Sequence, residues 1–298
     1  MIVGSIALDS IETPWGEADQ VLGGSATYAA LAARLWTPVA LVGVVGSDFP
    51  PRYLKLFDRM GIDGPGFVQA KGRTFRWKGR YNTSLEPTTL DLDLGVFSGF
   101  QPRLTVAYQR SKHAFLGNIH PGLQWEVLNQ LSKPRITACD SREDWIKASR
   151  KDLLKLIKEV DVLFLNDSEA RLLTGVYGLI QATRILALLG PKVAIVKKGE
   201  HGVLAASKDA FLSLPGYPVP RVVDPTGAGD AFAGACLGYL AGQSRINWAA
   251  LCRAIQYASC VASMTIEAFG PARLLKVTKK DVDRRVKAFQ TFTRAVVL

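Results

Sequence analysis

The sequence VDPTGAGDAFAG occupies Val223–Gly234 and joins a Gly-Ala-Gly turn to one carboxylate, Asp230. Small and apolar residues follow as far as Leu240. This pattern predicts that the turn is the N-terminus of a buried helix, where the first backbone N–H groups lack partners and the helix dipole adds positive charge. Because glycines carry no Cβ, a ligand can come close to those groups, so the stretch predicts an anion site.

Asp230 indicates chemistry beyond anion binding. A carboxylate in the first helical turn would repel an anion that is only held there. If the anion is a phosphoryl group attacked by a hydroxyl, the carboxylate can take the hydroxyl proton while the amides stabilise the developing charge. The alternative is a glycine turn followed by an acidic residue that complements the helix dipole.

The pattern Asp-x-Thr-Gly-Ala-Gly-Asp-x-Phe-x-Gly in this stretch resembles the C-terminal signature of the ribokinase-like (PfkB) carbohydrate kinase family. The resemblance implies that Asp230 is the catalytic base. It also implies that the backbone amides of Gly227, Ala228 and Gly229 form the anion hole for the γ-phosphate of ATP. Pro225 stands where many family members have Thr, but only backbone geometry is required of that position.

Two N-terminal features point to the acceptor. Ile2–Leu8 is predicted to be a buried strand ending at Asp9, and ligands of open α/β sheets bind at such strand ends. A helix pattern begins after Gly23 and Gly24. In the resembling family the Asp of the first strand holds two sugar hydroxyls beside a Gly-Gly motif. A carboxylate suits a polyol because it can accept from two adjacent O–H groups.

Two further residues are acceptor candidates. Tyr28 takes a position where the family often has an Asn that contacts the sugar. Its ring could stack on a sugar or a base, or could pack in the core. Asn118 ends a predicted strand and falls near another family position that contacts substrate.

Segments with a period of two interrupt the alternation of strands and helices. Thr74–Tyr81 predicts a strand with one apolar and one basic face, and Thr89–Phe97 alternates as well. We therefore expect a small β-sheet beside the main sheet, with lid segments at about 10–22 and 66–100. Such a lid would keep water from the phosphoryl group. The resemblance implies a lid over the sugar and, as in many members, a homodimer through the lid sheet.

The basic and aromatic residues of the first lid strand have two interpretations. Arg76, Trp77 and Arg80 either face the substrate or belong to a solvated basic face.

The ATP side is predicted in the C-terminal half. Asn166 and Glu169 follow a buried strand and match the family's Asn-x-x-Glu motif, which positions phosphate and Mg²⁺-bound waters. Mg²⁺ prefers oxygen ligands and keeps much of its water, so both side chains suit that role. Asn followed three residues later by Glu is also a capping box, and both interpretations can hold.

A strand over 193–197 leads into a Gly-x-x-Gly turn, Gly199 to Gly202. In the resembling family this turn lies by the adenine and ribose of ATP, and Thr226 completes the predicted ATP set. Lys197 or Lys198 could meet phosphate, although a plain hairpin needs no ligand. Two or three antiparallel edge strands are expected over 203–223.

In many family members, backbone carbonyls before the Gly-Ala-Gly turn and from a later loop bind a monovalent cation. Asp224, Thr226, Thr265 and Gly270 are the corresponding candidates for K⁺. The chain then closes with an amphipathic helix predicted over 281–297.

The length of 298 residues and the hydrophobic content of 48% fit an ordered globular protein. We expect an α/β fold over residues 1–298, a doubly wound, mainly parallel sheet flanked by helices, ribokinase-like, with a small β-sheet lid. No charged leader precedes the first strand, no apolar run could span a bilayer, and the four cysteines lack metal spacing. A reduced, cytoplasmic setting is the simplest expectation.

The net charge of +11 raises the question of nucleic acid. The basic residues are spread along the chain without a nucleic-acid motif, and a positive protein also attracts nucleoside triphosphates. The sequence therefore predicts neither a nucleic-acid nor a membrane partner.

The predicted function is an ATP- and Mg²⁺-dependent kinase that phosphorylates a hydroxymethyl group of a small sugar or polyol. A nucleoside acceptor of the adenosine, cytidine or guanosine type is the alternative. A Rossmann dehydrogenase would need Gly-x-Gly-x-x-Gly after the first strand, and a P-loop protein would need Gly-x-x-x-x-Gly-Lys-Ser/Thr; both are absent. A non-catalytic sugar-binding protein would not need Asp230 and would usually carry an export signal.

Overall fold

A computed structural model describes residues 1–293, so positions 294–297 of the predicted closing helix lie outside the described residues. The strands are β1 (Ile2–Val3), β2 (Ala7–Thr13), β3 (Gly16–Gly23), β4 (Val39–Gly46), β5 (Ile62–Ala70), β6 (Phe75–Tyr81), β7 (Pro87–Asp93), β8 (His113–Leu116), β9 (Ile136–Asp140), β10 (Val162–Asn166), β11 (Val193–Lys197), β12 (Val203–Ala206) and β13 (Phe211–Leu214). The helices are α1 (Ser25–Ala33), α2 (Pro51–Arg59), α3 (Val106–Gln109), α4 (Pro121–Gln130), α5 (Glu143–Ala148), α6 (Arg150–Ile157), α7 (Asp167–Thr174), α8 (Leu179–Leu188), α9 (Ala228–Ala241), α10 (Trp248–Thr265) and α11 (Lys279–Phe292).

The large sheet has the strand order β13-β12-β11-β10-β9-β8-β1-β4-β5. Neighbours from β11 to β5 run parallel, and β12 and β13 add an antiparallel edge. Helices cover both faces, which explains why strands such as β10 are continuous apolar runs. The expected doubly wound, mainly parallel sheet is confirmed, together with two antiparallel strands at its edge.

The second sheet has the order β3-β2-β6-β7. Its outer pairs are antiparallel, and β2 runs parallel to β6. We call this sheet the lid sheet. Its two segments are 7–23 and 75–93. The first is slightly longer than the predicted 10–22, and the second is shorter than the predicted 66–100. Residues 66–70 belong instead to β5 and pair with β4 of the large sheet.

The predicted strand over Ile2–Leu8 was wrong in its continuity. Val3 ends a strand of the large sheet, and the chain enters the lid sheet at Ala7. Between them, Ser5 exchanges hydrogen bonds with Ser25, from Ser5 N to Ser25 Oγ at 3.2 Å and from Ser25 N to Ser5 Oγ at 3.0 Å. These bonds take the backbone out of the ladder, so Asp9 lies within a lid strand and not at the carboxyl end of a large-sheet strand.

The helix α9 packs closely along α1, and this contact positions the candidate site. A Cβ at Gly234 would lie 2.1 Å from the carbonyl oxygen of Ala29, and a Cβ at Gly238 would lie 2.7 Å from Cα of Ala33. Only glycine allows this approach, which brings the start of α9 beside α1.

No helix among residues 1–293 is both long enough and apolar enough to cross a bilayer.

Candidate active site

The N-terminus of α9 is built as the glycine turn predicts. Gly227 is the N-cap residue with a φ of 73°, in the left-handed region that favours glycine. A Cβ there would also lie 2.3 Å from ring carbons of Tyr28. Asp230 follows within the first turn and is half-buried. The predicted helix start is confirmed, with a carboxylate in its first turn; Ala228 N donates to the Pro225 carbonyl at 3.3 Å, and Ala231 N donates to the Gly227 carbonyl at 2.8 Å.

A lysine lies next to this turn. A Cβ at Gly229 would be 3.1 Å from Nζ of Lys197, so the ammonium borders the glycine backbone. Lys197 Nζ also donates to Oδ2 of Asp140 at 2.6 Å. The predicted phosphate contact was left open between Lys197 and Lys198, and Lys197 is the one at the turn.

Asp140, Asn166 and Lys197 end three neighbouring parallel strands, β9, β10 and β11. They therefore meet at one edge of the sheet. The sequence motifs gave Asp140 no role. The signal that could have found it is its place as a carboxylate at the carboxyl end of a buried strand, where ligands bind in such folds.

The surroundings of Asp230 shift its pKa. Burial, with the negative charge of Asp140, raises the pKa of Asp230 to about 7, while Lys197 and Arg142 oppose the shift. Burial alone would lower the pKa of Lys197, but the carboxylates of Asp140 and Glu169 outweigh it and the net shift is upward. Lys197 thus stays charged, and Asp230 titrates near neutrality, where a general base works best.

Asn166 and Glu169 form a complete capping box at the start of α7. Glu169 N donates to Asn166 Oδ1 at 2.8 Å, and Asn166 N donates to Glu169 Oε2 at 2.7 Å. Burial, together with the charge of Asp140, raises the pKa of Glu169. One oxygen of each side chain is therefore used by the helix, and the second carboxylate oxygen of Glu169 remains.

No group of three or more His, Cys, Asp or Glu side chains within residues 1–293 is arranged to hold a metal ion. Asn166 and Glu169 carry oxygen donors, which fits Mg²⁺ held through water, because Mg²⁺ prefers oxygen ligands and keeps several waters.

The acceptor candidates Asp9, Gly23 and Gly24 come together. A Cβ at Gly23 would lie 1.8 Å from Asp9 Oδ2, and one at Gly24, where φ is 93°, would lie 2.5 Å from the carbonyl oxygen of Ser5. Burial raises the pKa of Asp9 to about 7; the Gly24 backbone opposes the shift, and the charges of Asp224 and Asp230 add to it. Asp9 is therefore within electrostatic range of Asp230, as the kinase hypothesis requires.

Tyr28 is 1% exposed, so its ring packs in the core beneath Gly227. Its hydroxyl is buried and has no hydrogen-bond partner among the described residues. Asn118 follows β8 and accepts a hydrogen bond from the Trp145 indole at 2.9 Å. The substrate roles predicted for both residues stay predictions.

The lid sheet contacts the residue that precedes the Gly227–Gly229 turn, which we call the catalytic turn after its predicted role. Thr226 Oγ1 donates to the hydroxyl of Tyr81, at the end of β6, over 3.1 Å. Trp77 pairs with Asp9 in register across parallel strands, so both side chains share the face on which Tyr81 also lies. Sequence reasoning missed Tyr81, since nothing local marks a contact 145 positions away.

The basic face of β6 does not meet the site. Arg76 Nη2 lies 2.6 Å from Asp48 Oδ2, and Arg80 lies 2.7 Å from Glu12 Oε2. Of the three residues expected either to face the substrate or to be solvated, Trp77 alone shares a face with Asp9. The homodimer through this sheet stays a prediction.

The remaining ATP candidates flank this centre. Gly199 and Gly202 bound a 3₁₀ turn with φ of 54° and 87°, and Lys198 N donates to Gly202 O at 2.8 Å. The turn packs on the loop after β13, where a Cβ at Gly202 would lie 2.1 Å from the carbonyl oxygen of Leu214. The nucleotide roles of Lys198, Gly199 and Gly202 stay predictions.

Asp224 joins the two loops that are predicted to bind K⁺, the one before Gly227 and the one at Gly270. Asp224 Oδ1 accepts from Thr226 N and Oδ2 accepts from Gly270 N, both at 2.8 Å. The hydroxyl of Thr265 donates to the Val261 carbonyl at 3.0 Å within α10. This arrangement fits backbone coordination and leaves the K⁺ site a prediction.

Comparison with known proteins identifies the family. The model of the pfkB family carbohydrate kinases matches residues 15–277. The chain belongs to this family. A cytidine kinase of Thermococcus kodakarensis is 32% identical over 255 residues, covering 82% of this chain and 88% of the relative. A ribokinase of Haemophilus influenzae is 24% identical, covering 78% and 82%. The protein is thus a pfkB-family kinase, and so a phosphotransferase.

Solved structures confirm the ribokinase-like fold. A Burkholderia thailandensis nucleoside kinase in complex with inosine superposes with a TM-score of 0.81 at 21% identity, covering 96% of each chain. A putative ribokinase II of E. coli in complex with ATP and Mg²⁺ gives a TM-score of 0.80 at 18% identity, covering 96% of this chain and 98% of that one. The pfkB-family kinase therefore shares its architecture with nucleoside kinases and ribokinases alike.

Proposed function

We propose that this protein transfers the γ-phosphate of ATP to the hydroxymethyl group of a small acceptor that carries sugar hydroxyls. We further propose that the acceptor is a nucleoside rather than a free sugar or polyol. The observation that carries the transfer is the position of Asp230, half-buried at the amide end of α9 and within electrostatic range of Asp9.

Asp230 is the base. With a pKa of about 7, a large fraction is ionised at neutral pH and able to take the acceptor's hydroxyl proton. The backbone amides of Gly227, Ala228 and Gly229 and the ammonium of Lys197 stabilise the negative charge of the transferred group. Their position at a fixed helix end means that little reorganisation is needed during the reaction.

Asp9 orients the acceptor. Its carboxylate lies against the Cα of Gly23, where no side chain could fit, and it is 4% exposed. Two adjacent hydroxyls of a ribose can donate to its two oxygens. Those donors favour the ionised form, so acceptor binding lowers the pKa of Asp9 from about 7.

ATP with Mg²⁺ supplies the phosphoryl group. We assign the nucleotide to Asn166, Glu169, Lys198, Gly199 and Gly202, with Thr226 beside the γ-phosphate. Asn166 and Glu169 would hold Mg²⁺ through water, and the metal would supply positive charge to neutralise the phosphates. Carbonyls of Asp224, Thr226, Thr265 and Gly270 are the candidate K⁺ ligands.

An aromatic wall supports the nucleoside. The Trp77 ring lies across Gly79, where a Cβ would be 2.1 Å from ring carbons, and meets the Tyr81 ring edge-on at 6.3 Å. Both residues share the lid face of Asp9, so a base attached to a ribose held by Asp9 can stack on Trp77. Such stacking is worth about 1–3 kcal/mol per base. The similarity to the cytidine kinase points in the same direction.

A coupled assay of ADP formation tests the proposal over ribose, fructose, inositol, cytidine, adenosine, inosine and guanosine. We expect one ribonucleoside to give a kcat/KM at least about tenfold above that of ribose, as the stacking energy implies. Phosphorus NMR of the product should locate the phosphate on the hydroxymethyl group. If kcat/KM for ribose equals that for the best nucleoside, the proposed nucleoside specificity is wrong, although the kinase activity is supported. No acceptor-dependent ADP formation by the native protein would reject the transfer itself.

Trp77→Ala is the matched variant. We expect it to lower kcat/KM for the nucleoside and to leave that for ribose within about twofold, because ribose has no base to stack.

A further inference from the structure

Tyr81 closes the lid sheet onto the catalytic turn. Its hydroxyl lies 3.1 Å from Thr226 Oγ1, and Thr226 directly precedes the Gly227 turn. We infer that Tyr81 is a positioning residue for phosphoryl transfer, whose hydrogen bond to Thr226 couples lid closure to the geometry of the anion hole. This inference rests on the proposed function, in which the Gly227–Gly229 amides receive the phosphoryl group.

The two ends of β6 are held very differently. At its start, Thr74 is fully buried; its N and Oγ1 each lie 2.7 Å from Asp48 Oδ1, and its Oγ1 accepts from Gly46 N at 3.0 Å. Arg76 adds a contact of 2.6 Å to Asp48. At its end, the hydrogen bond of Tyr81 to Thr226 is the contact to the catalytic turn. The start of β6 is thus held by several side-chain hydrogen bonds, whereas its end is joined to the catalytic turn by the Tyr81 hydroxyl.

Thr226 passes the constraint on to the turn. Its N donates to Asp224 Oδ1 at 2.8 Å, and the second oxygen of Asp224 accepts from Gly270 N at 2.8 Å. The next residue, Gly227, adopts the left-handed conformation against the Tyr28 ring. The backbone N–H of Thr226 is therefore fixed by Asp224, and the side-chain hydroxyl of Thr226 is fixed by Tyr81.

A bound acceptor can stabilise the hydrogen bond between Tyr81 and Thr226 through its contact with Trp77. The rings of Trp77 and Tyr81 are in edge contact, and Trp77 shares the lid face of Asp9. A ligand held between Asp9 and Trp77 favours the closed lid and, with it, the hydrogen bond of Tyr81. Burial raises the pKa of the Tyr81 hydroxyl above its usual range, so the phenol stays protonated at working pH.

Tyr81→Phe tests the inference, since it removes one hydroxyl and keeps the ring against Trp77. We expect kcat to fall about 3- to 10-fold, the loss of one neutral hydrogen bond, with KM for ATP nearly unchanged. We also expect more ADP per phosphorylated acceptor than the native ratio, because a loosened anion hole admits water. Thr226→Val should give a similar loss, and the double variant should lose no more than either single one.

Tyr53→Phe is the control. Tyr53 lies on α2, and its hydroxyl accepts from Arg52 at the surface. This variant removes a tyrosine hydroxyl outside the site and should keep native kcat and the native product ratio.

Hydrogen exchange separates this inference from the proposed function. In the free protein, Tyr81→Phe should raise the exchange rate of a peptide spanning 224–231 several-fold, and Tyr53→Phe should not. This readout requires no substrate, so it decides the coupling even if no acceptor is phosphorylated. Unchanged exchange together with native kcat in Tyr81→Phe would overturn the inference.

Discussion

Lys197 Nζ lies 2.6 Å from Asp140 Oδ2, and their side chains are only 16% and 6% exposed. They end β11 and β9 on either side of β10, and the ammonium also borders the first turn of α9. The pair therefore places one positive charge beside the turn proposed as the anion hole. Asp140 is the carboxylate that contacts the Lys197 ammonium most closely.

The first prediction concerns this pair. Asp140→Asn leaves a buried ammonium without its counter-ion, and we expect the free energy of unfolding to fall by about 3 kcal/mol. The double variant Asp140→Asn with Lys197→Met should recover part of that loss, because no uncompensated charge remains buried. Urea denaturation at pH 7.5 measures both. A double variant less stable than Asp140→Asn would contradict the interpretation.

The second prediction concerns the base. Asp230→Asn should lower kcat by about 10²- to 10⁴-fold, the usual contribution of a general base, and should leave ATP affinity near native. Calorimetric ATP binding and the coupled assay measure the two quantities. Retained turnover would remove Asp230 from the mechanism.

The same variant has a stability signature. The folded pKa of Asp230, about 7, lies above that of an unfolded aspartate. The protonated carboxyl therefore favours the folded state at low pH, and this stability is lost as the pH rises through 7. Asn resembles the protonated form, so Asp230→Asn should unfold at a higher temperature than the native protein at pH 8, and the difference should shrink at pH 5. A difference that grows toward pH 5 would reverse the sign of the shift.

Periodicity was sufficient to predict the parallel character of the large sheet and its antiparallel edge, but it missed β5 and extended the first strand too far. Gly227 and Asp230 could be placed from sequence because helix-end signals are local. Asp140 with Lys197, and Tyr81 with Thr226, could not, because these pairs are 57 and 145 positions apart and one sequence carries no pairing information. The break after Val3 was hidden for a similar reason, since the bonds that cause it come from Ser25.

The third prediction is the pH dependence of catalysis. Asp9 and Asp230 both have pKa values of about 7 in the free protein, raised mainly by burial. Both must be ionised to work, so kcat/KM for the acceptor should fall below pH 7 with a slope steeper than one. Because the two carboxylates interact, the profile reports values for the pair. In kcat the slope should approach one, since acceptor hydroxyls lower the pKa of Asp9. A flat profile from pH 5.5 to 8 would exclude carboxylate titration from the rate.

The fourth prediction concerns the glycine beneath Asp9. In Gly23→Ala the new methyl group would lie 1.8 Å from Asp9 Oδ2, so the carboxylate must move. We expect KM for the acceptor to rise about tenfold or more while KM for ATP stays native, because the proposed ATP residues follow strands of the large sheet and Gly23 lies in the lid sheet. Gly99→Ala is the matched control, since a Cβ there meets no atom within 4 Å. Initial-rate kinetics with each substrate varied in turn measure the split. An equal rise in both KM values would indicate general damage to the fold and would count against Asp9 as the residue that orients the acceptor.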